Sequence, residues 1–597
     1  MSKKSIWIAG IARGHNAGVC LLKDGEIVFS IEEERLSRVK YDGGPFASIL
    51  KILEYTDKLD YIVFAHTTPL TTAGFIEYTG DILYVGFARK LGLISKDPYP
   101  NGHPQVVDLS HLHHKMHAAC AFYRSGWTDA AALVVDGAGT FCPTVFNDQE
   151  LTTWETESIY TCSYPANFKT HYKHHGAPDN INTVISETSS SWFDEEDTHT
   201  AVISDRAGIV KVYEAVSKYC GFQEIDAGKT MGLFPYGKES DKIPKLFNQY
   251  NDMWLSDRSF IIPTYPSGAR LNNQLFPYLN TFDHDDLSLE QNRRDLAYAV
   301  QTETQDQVLN LIKKTVEITG KTKIVISGGY GLNCVANYHY ISELQDQGIE
   351  IYVEPISNDA GTAMGAALYF WHNYTGDTTV RPYGSVYLGP KLNYSLDNII
   401  TKVNYANVTM YDATYNDVVN LLINKNIVTI FQGQSENGPR ALGNRSVLFD
   451  PRFVDGKDYV NSVKHREYFR PFAGTILEEH VHEWFDLKGM KSSPHMMYAV
   501  NCQPGVEQTI PSIIHVDGTC RIQTVTEEQN FHFYNLINEF YKQTGVPILF
   551  NTSFNLGGEP LVETLEDAIW TLQNSDIEYL FLPEFNKLIE VKNDKTL

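Results

Sequence analysis

The chain has 597 residues, 43% of them apolar and 20% charged, a composition typical of a globular protein and not of a disordered one. Its 49 basic and 73 acidic residues give a net charge of −24, which disfavours nucleic acid and anionic membranes as bulk partners. No apolar run is long enough to span a bilayer, and the eight scattered cysteines form no CxxC pair, which argues against zinc fingers. We therefore expect a cytoplasmic protein without a membrane partner.

The first predicted elements are three β-strands separated by two turns. They lie in SIWIAGIARGHNAGVCLLKDGEIVFSIEEER (5–35), with a glycine-bearing turn at 13–18 and an Asp-Gly turn at 24–25. Because the initial apolar run is short and broken by Arg13, it predicts a strand and not a signal peptide. Residues 131–153 repeat the plan as AALVVDGAGT followed by two short strands. Two hairpin units of one design indicate a duplicated fold with a nucleotide between its halves.

The stretch 111–140, HLHHKMHAACAFYRSGWTDAAALVVDGAGT, predicts a helix that ends near Gly126 and then a buried strand. His113 and His117 are four residues apart, so on a helix both imidazoles lie on one face and can reach one ion. Asp136 follows the strand and opens the glycine turn DGAG. The pattern favours a metal beside phosphate-binding backbone amides. The alternative is a helix whose histidines face solvent, followed by an ordinary hairpin.

Further candidate binding turns follow in the same half. DAGKTMGLFPYGK (226–238) and SGGYGLN (327–333) are glycine-rich turns whose amides can hold phosphates. Asp359 precedes an Ala/Gly-rich helix and is either a metal ligand or a helix cap. Residues 67–110 favour an irregular lid or binding loop. For FKTHYKHHG (168–176), a solvated polar loop is favoured over a histidine metal site.

The second half has a different chemistry, and the Gly/Pro/Thr-containing segment 371–392 predicts the boundary before it. Residues 430–475 contain seven Lys or Arg against five acids, in glycine-rich surroundings. Such a local excess of cations suits phosphate or carboxylate binding, the alternative being a solvated loop with surface ion pairs. Arg521 on a predicted strand and the polar strand end at 551–553 extend the candidate anion site.

Nine segments in this order resemble the NodU/CmcH-type O-carbamoyltransferase family over nearly the full length. Each is a weak signal alone, and together they are a strong one. They are GHNAGVCLLKDGEIVFSIEEERLSRVK, the HHKMH element with VVDGAG, GKTMGLFPYG, SGGYGLN, NDAGTAMGAA, GPRALGNRS, KHREYFRPFA, VDGTCRIQTV and NTSFNLGGEPLV.

The resemblance implies an α/β protein with two parts. Residues 1–375 would form a duplicated actin-like (ASKHA) ATPase domain, similar to the tRNA threonylcarbamoyltransferase subunit. A linker at 376–392 would lead to an α/β YrdC-like domain at 393–597. The family makes carbamoyl adenylate from carbamoyl phosphate and ATP in the second domain. It then transfers the carbamoyl group to an acceptor hydroxyl in the first, beside a divalent metal; we expect iron there, and Mg²⁺ with the ATP.

The resemblance also assigns roles to residues. The metal ligands would be His113, His117, Asp136 and Asp359. The nucleotide-binding residues of the first domain would be Gly137, Gly139, Lys229, Gly232, Gly328, Gly329 and Asn333. The carbamoyl phosphate and ATP site of the second domain would use Arg440 or Arg445 (both are retained), Lys464, Arg466, Arg470, Arg521, Asn551 and Ser553.

His15 and Lys40 are the candidate catalytic residues. His15 is the expected base for the acceptor hydroxyl, because a neutral imidazole is the usual proton acceptor near pH 7. The alternative is that it only hydrogen-bonds phosphate or acceptor. The family often has His-Asp at this turn, whereas this chain has His15-Asn16. Any acid-base or ionic role of that aspartate is therefore absent or lies elsewhere.

The acceptor stays open at this point. A small-molecule or sugar hydroxyl is favoured by the acidity of the chain, and a hydroxymethylpyrimidine of modified phage DNA is the second option. A tRNA- or protein-modifying carbamoyl-type enzyme is one alternative function, although it would favour a basic surface or zinc fingers. A non-catalytic nucleotide-dependent switch on an actin-like fold is the other. A homodimer is the expected assembly if the chain oligomerises.

Overall fold

The computed structural model describes residues 4–77, 79–97, 102–146, 149–178, 181–188, 198–251, 253–272, 274, 291–403 and 407–592. The chain divides into two compact units. The first contains the residues up to Glu33 and Tyr41–Ser385, and the second contains Glu34–Lys40 and the residues from Val386 onward. Among the described residues, no helix has both the length and the apolar character needed to cross a membrane.

The first unit begins with a five-stranded sheet. Its strands are β1 (Trp7–Ala12), β2 (Gly18–Lys23), β3 (Glu26–Glu32), β4 (Tyr61–Ala65) and β5 (Val106–Asp108). They lie in the order β3-β2-β1-β4-β5, in which β1 to β3 are antiparallel and β4 and β5 run parallel to β1. The three strands and two turns predicted at 5–35 are therefore confirmed. The helices of this part are α1 (Glu33–Ser37), α2 (Phe46–Lys51), α3 (Leu83–Leu91) and α4 (His113–Ser125).

The second sheet repeats this arrangement. Its strands are β6 (Asp129–Val135), β7 (Phe141–Phe146), β8 (Gln149–Ser163), β9 (Asn167–Gly176), β10 (Val184–Thr188), β11 (His199–Ser204), and, much later, β16 (Lys323–Ser327) and β17 (Glu350–Val353). Five neighbours, β9-β8-β6-β16-β17, have the same order and directions as β3-β2-β1-β4-β5. The sequence misassigned one strand of this repeat: β7 pairs only with β8, and the long β8 is the neighbour of β6.

The remaining elements of the first unit lie between and after these strands. The helices are α5 (Ile209–Tyr219), α6 (Ala227–Leu233), α7 (Gln291–Thr319), α8 (Cys334–Leu344) and α9 (Ala360–Thr375). Two small hairpins are formed by β12 (Phe247–Tyr250) with β13 (Met253–Ser256) and by β14 (Ile261–Thr264) with β15 (Gly268–Leu271).

Two polar segments differ from their sequence predictions. Residues 168–176 lie within strand β9, and His174 and His175 are buried. The prediction of a solvated loop was wrong because the charges are compensated inside the protein: Lys173 Nζ is 2.6 Å from Glu155, and His174 Nδ1 is 2.6 Å from Glu157. The irregular section predicted at 67–110 contains helix α3 and strand β5.

Helix α9 packs unusually closely on two neighbours. A Cβ at Gly365 would lie 1.9 Å from the backbone oxygen of Met116 on α4, and one at Gly10 on β1 would lie 2.0 Å from the oxygen of Ala363. Only glycine permits such a backbone approach. Since α4 begins with His113 and α9 follows Asp359, this crossing determines how close the predicted metal ligands come.

We expect Gly365→Ala to destabilise the first unit by about 3 kcal/mol, because the added methyl meets a backbone atom that cannot rotate away. Unfolding in denaturant followed by circular dichroism measures this loss. Gly228→Ala is the matched control: Gly228 is also helical, but its Cβ would meet nothing within 4 Å. That change should be neutral or stabilising by up to about 1 kcal/mol. Equal midpoints for the two variants would contradict the packing argument.

The second unit is built on one ten-stranded mixed sheet. Its order is β18-β27-β26-β19-β20-β25-β21-β24-β23-β22. The strands are β18 (Val408–Asp412), β19 (Val428–Phe431), β20 (Arg445–Phe449), β21 (Ala473–Leu477), β22 (Phe485–Asp486), β23 (Ala499–Cys502), β24 (Thr519–Val525), β25 (Ile548–Ser553), β26 (Tyr579–Leu582) and β27 (Lys587–Val591). The helices are α10 (Leu396–Lys402), α11 (Tyr415–Ile423), α12 (Gly456–Val463), α13 (Val481–Trp484), α14 (Val506–Thr509), α15 (Phe531–Thr544) and α16 (Leu565–Gln573).

The boundary between the units falls at Ser385 and Val386, within the segment that the sequence assigns to a linker. The sequence did not anticipate that residues 34–40 belong to the second unit. Arg35 and Arg38 donate there to the backbone oxygens of Gly438 and Leu561, each at 2.6 Å. Lys40 lies in this segment, where its Nζ is 2.7 Å from Glu34.

Candidate active site

Four side chains that are far apart in sequence meet in the first unit. His113 and His117 lie on successive turns of α4, which ends at Gly126 in the left-handed conformation, as the sequence predicted. Asp136 follows β6, and Asp359 precedes α9. One potential ligand atom from each residue lies within 4.8 Å of all the others. Both histidines are almost fully buried, and Asp136 is 7% exposed.

The geometry of this cluster fits a metal ion better than hydrogen bonds. His113 Nε2 is 3.6 Å from both Asp136 and Asp359, and His117 Nε2 is 3.5 Å from Asp359. These distances are too long for hydrogen bonds, and both buried Nε2 atoms are without a hydrogen-bond partner. Two ligands of one tetrahedral ion, each about 2.0–2.2 Å from it, lie about 3.3–3.6 Å apart. Two imidazoles and two carboxylates are a donor set that suits zinc, iron or manganese.

The electrostatics of the cluster are those of a cation site. Burial lowers the pKa of His113, but Asp136 and Asp359 outweigh it and raise that pKa to about 10. Burial raises the pKa of Asp359, yet His113, His117 and His15 hold it well below its usual value. The carboxylates thus favour positive charge between them, which a metal ion supplies in place of the proton on His113.

The candidate base lies beside this cluster. His15 follows β1, and its Nδ1 is 3.9 Å from Asp359 Oδ2. Its side chain is 52% exposed, so it is open to an incoming molecule. The second catalytic candidate, Lys40, belongs to the other unit and pairs with Glu34, as described above. Its catalytic role stays a prediction.

The predicted nucleotide-binding residues occupy two places in the first unit. Gly137, Gly328 and Gly329 follow the parallel neighbours β6 and β16, and the Gly329 amide donates to Asp136 at 3.0 Å. Lys229 and Gly232 lie on α6, and Lys229 Nζ is 3.2 Å from Asp226.

Two of the predicted nucleotide ligands, Asn333 and Gly139, have structural contacts in the fold. Asn333 caps α8 through Ala336 N–H and donates to Gln301 at 3.0 Å. Gly139 lies against His114 and Glu155, where a Cβ would be 2.4 Å from the imidazole. These contacts support the fold beside the cluster of His113, His117, Asp136 and Asp359.

The sequence analysis missed an ion pair beside the glycine turn that begins at Asp136. A Cβ at Gly137 would lie 3.0 Å from Glu214 and 3.2 Å from Lys211, which are 2.7 Å apart on α5. Both residues belong to an ordinary amphipathic helix, so nothing local marks them as neighbours of Asp136.

The second unit contains a cluster of cations around the end of β25. Lys464 Nζ donates to the backbone oxygen of Ser553 and lies 3.4 Å from Asn555 Oδ1, and Arg466 donates to Ser553 Oγ at 3.0 Å. Arg470 and Arg521 are near enough for their charges to act on Arg466. Asn555 was missed by the sequence analysis, although it lies only two positions after Ser553, which donates to its Oδ1 at 2.5 Å.

Basic side chains lie close enough in this cluster to lower one another's pKa values. Burial, followed by Arg470 and Arg521, lowers the pKa of Arg466 to about 9. Burial, followed by Arg466 and Arg470, also lowers the pKa of Lys464 far below its usual value. Cations that depress one another's pKa values favour binding of a multiply charged anion.

Three other predicted ligands of this site differ in their surroundings. Arg445 is fully buried, stacks 3.8 Å from the centre of the Phe431 ring, and donates to four backbone oxygens. Its guanidinium therefore supports the loop after β19, whereas Arg440 is half-buried and stays a predicted anion ligand. Asn551 donates to Thr475 and Gln523 inside the sheet and supports the strands beside the cluster.

Anion binding to the cluster should take up protons. The protonated form of Lys464 binds an anion, and a bound anion raises its pKa again. The affinity for the anion is therefore greatest at a pH below the pKa that Lys464 has in the free protein. It declines as the pH rises from that pKa to the higher pKa that Lys464 has in the complex. Calorimetric titration with sulfate at a series of pH values from about 6 to 10, in two buffers of different ionisation enthalpy at each pH, measures the uptake. Identical heats in both buffers would contradict it, and the exposed Lys491→Met variant should match the wild type.

Comparison with known proteins places most of the chain within one family. The family model described as Carbamoyltransferase N-terminus matches residues 101–368, and that described as Carbamoyltransferase C-terminus matches residues 419–587. Together they cover most of the chain, including both clusters. The chain therefore belongs to the carbamoyltransferase family, of the NodU/CmcH type, and is an enzyme of that class.

Named relatives span much of the chain. Nodulation protein NolO of Bradyrhizobium diazoefficiens is 30% identical over 79% of this chain and 78% of its own length. The 3'-hydroxymethylcephem-O-carbamoyltransferase of Streptomyces clavuligerus is 29% identical over 58% of this chain and 61% of its own. Among solved structures, full-length HypF in a phosphate- and nucleotide-bound form is similar at 14% identity and a TM-score of 0.36, covering 62% of this chain and 47% of HypF.

Proposed function

We propose that the protein is an ATP-dependent O-carbamoyltransferase that divides its reaction between the two units. The observation that carries this proposal is the cluster of four basic side chains, Lys464, Arg466, Arg470 and Arg521. Carbamoyl phosphate and ATP both concentrate negative charge in a small volume, and a buried site for them must supply cations and fixed donors. In the described part of the cluster, Glu467 is the acid that lowers this positive charge.

The second unit would activate the carbamoyl group. Carbamoyl phosphate loses phosphate to water, and an oxygen of the resulting carbamate attacks the α-phosphorus of ATP, releasing pyrophosphate. Arg466 and Ser553 are suited to hold the phosphate, because Arg466 Nη2 and Ser553 Oγ are 3.0 Å apart at the carboxyl end of β25. The duplicated sheets of the first unit resemble an actin-like ATPase, and the second unit would be the YrdC-like domain of the family.

The first unit would transfer the activated group. The acceptor hydroxyl oxygen attacks the carbamoyl carbon, AMP leaves with the electron pair of the broken bond, and His15 accepts the hydroxyl proton. A divalent metal bound by His113, His117, Asp136 and Asp359 would offset charge on the departing phosphate and polarise the carbamoyl group. His15 is within reach of this region because it lies 3.9 Å from Asp359.

The acceptor is proposed to be a hydroxyl on a small molecule. The net charge of −24 disfavours a large polyanion, and the relative from Streptomyces clavuligerus is named for a hydroxymethylcephem acceptor. Hydroxymethylated DNA is the second candidate.

The test is to mix protein, ATP and carbamoyl phosphate with a panel of hydroxyl acceptors that includes sugars, a hydroxymethylcephem and hydroxymethylated DNA. We expect pyrophosphate release and the mass of one added carbamoyl group on a small acceptor. Addition to DNA alone would overturn the small-molecule assignment. No pyrophosphate under any metal condition would overturn the adenylate route.

A further inference from the structure

A histidine outside the predicted site lies beside it. Strands β1 and β4 are parallel, with Ala12 opposite Ala65, so the residues that follow them share one edge of the sheet. His66 therefore lies alongside the turn that carries His15. A Cβ at Gly14 would be 3.1 Å from His66 Nε2, so the imidazole edge packs over this turn. The charges of His113 and Asp359 also act on it.

The hydrogen bonds of His66 determine which of its nitrogens carries the proton. The backbone N–H of Thr68 donates to Nδ1 at 3.1 Å, and a backbone amide can only donate. Nδ1 is therefore an acceptor, and a neutral imidazole must carry its proton on Nε2. Burial, assisted by Arg13 and His113, lowers the pKa of His66 to about 4, so the ring is neutral near pH 7.

The loop that fixes this orientation is itself held rigidly. Arg13 Nη2 donates to the backbone oxygens of Thr68 and Pro69 at 2.8 and 2.7 Å and to Thr72 Oγ1 at 2.8 Å. Thr68 in turn contacts His66 Nδ1 through both its amide and its hydroxyl. Within the described residues, Nε2 has no hydrogen-bond acceptor, although its ring is only partly buried. A preorganised donor thus lies over the turn that carries His15.

We propose that His66 is a catalytic hydrogen-bond donor, whose Nε2–H binds the carbonyl oxygen of the carbamoyl group during transfer. This inference rests on the proposed function. When the hydroxyl oxygen attacks the carbamoyl carbon, negative charge develops on the carbonyl oxygen, and a fixed donor stabilises it. His66 gives up no proton: the hydroxyl proton goes to His15, and the departing AMP takes the electron pair of the broken C–O bond.

The two histidines of this turn therefore have different roles. His15 is half-exposed and stands near a carboxylate, which suits a group that gains a proton. His66 has its free lone pair occupied by Thr68 and shows only an N–H to the site. A purely structural His66 would order the turn through packing over Gly14, and the test must separate that role from a donor role.

The test compares His66→Gln with His66→Ala. The glutamine amide nitrogen can take the position of Nε2 and keep a donor, whereas alanine removes it. We expect His66→Ala to lower kcat for carbamoyl transfer by about 10²–10³-fold with little change in KM for the acceptor. The kcat of His66→Gln should be at least tenfold higher than that of His66→Ala. Pyrophosphate release should be unchanged in both variants. His111→Gln, at an exposed position, is the control and should match the wild type.

Three outcomes would overturn the donor role. The first is equal activity of the alanine and glutamine variants, and the second is an effect confined to KM. The third is a pH profile of kcat that loses its acid limb when His66 is replaced.

Nitrogen-15 NMR of histidine-labelled protein, with His66→Gln to assign the signal, gives a readout that does not need turnover. We expect an Nε2-protonated neutral ring from pH 5.5 to 9, and protonation on Nδ1 would refute the proposal. A wild-type protein that releases no pyrophosphate and carbamoylates nothing would refute the proposed function instead.

Discussion

Replacing His113 with alanine is expected to abolish carbamoyl transfer while pyrophosphate release from ATP and carbamoyl phosphate continues. The imidazole is 1% exposed and lies 3.6 Å from both carboxylates of the cluster, so its loss removes one of the four proposed metal ligands. Removing a residue that hydrogen-bonds to a metal ligand lowers metal affinity or activity by about 10–100-fold. Removing a ligand itself should therefore lower the rate of transfer by more than about 100-fold. Pyrophosphate release should persist, because we assign that step to the second unit.

The measurement combines three readouts on one preparation. Carbamoylated product is followed by mass spectrometry, pyrophosphate by a coupled assay, and bound metal by elemental analysis after dialysis. His111→Ala is the matched control, since this histidine lies two positions earlier and is exposed. It should retain metal and both activities. Full transfer by a His113→Ala protein that holds no metal would show that the cluster does not serve the reaction.

The second large effect is expected for Lys464→Met, which should abolish pyrophosphate release and therefore transfer as well. Lys464 is fully buried, and its Nζ donates to the backbone oxygen of Ser553 at the centre of the cation cluster. Removing a preorganised donor from a dry anion site costs about 10²–10³-fold in rate. Methionine keeps the length of the side chain, so packing changes little while the charge is lost.

Lys491→Met provides the control for this change, because Lys491 is an exposed lysine of the same unit. It should leave both steps intact. The metal content of the Lys464→Met protein should equal that of the wild type, in contrast to His113→Ala. Continued pyrophosphate release by Lys464→Met, at a rate within tenfold of the wild type, would place the adenylation chemistry elsewhere in the chain.

Much of the candidate site could be predicted from sequence because its parts are locally encoded. Two histidines four residues apart face one way on any helix, and a glycine after Ser125 ends α4 in the left-handed conformation. The cations of the second unit are likewise concentrated within 430–475, so their charge excess is visible without a fold. Apolar strands separated by a glycine-bearing turn and an Asp-Gly turn predicted the first three strands correctly for the same reason.

Residues that are linked only through strand pairing were harder to find. His66 has no local signature, and its importance depends on β4 lying parallel to β1. A rule that the carboxyl ends of parallel strands share one edge would have drawn attention to it. The buried strand at 168–176 was missed because its charges resemble a surface loop until their partners, Glu155 and Glu157 on β8, are known.

The sequence by itself thus determined the α/β character, the repeated strand plan, the histidine pair and the cation-rich second half. The family resemblance placed Asp359 with His113, but only the tertiary structure shows how they meet at 3.6 Å, since that proximity depends on α9 crossing α4 at Gly365. It also decided that Arg445 binds backbone oxygens and that residues 34–40 join the second unit. The physical reason is the same in each case: periodicity and composition act over a few residues, whereas close packing and burial join segments hundreds of residues apart.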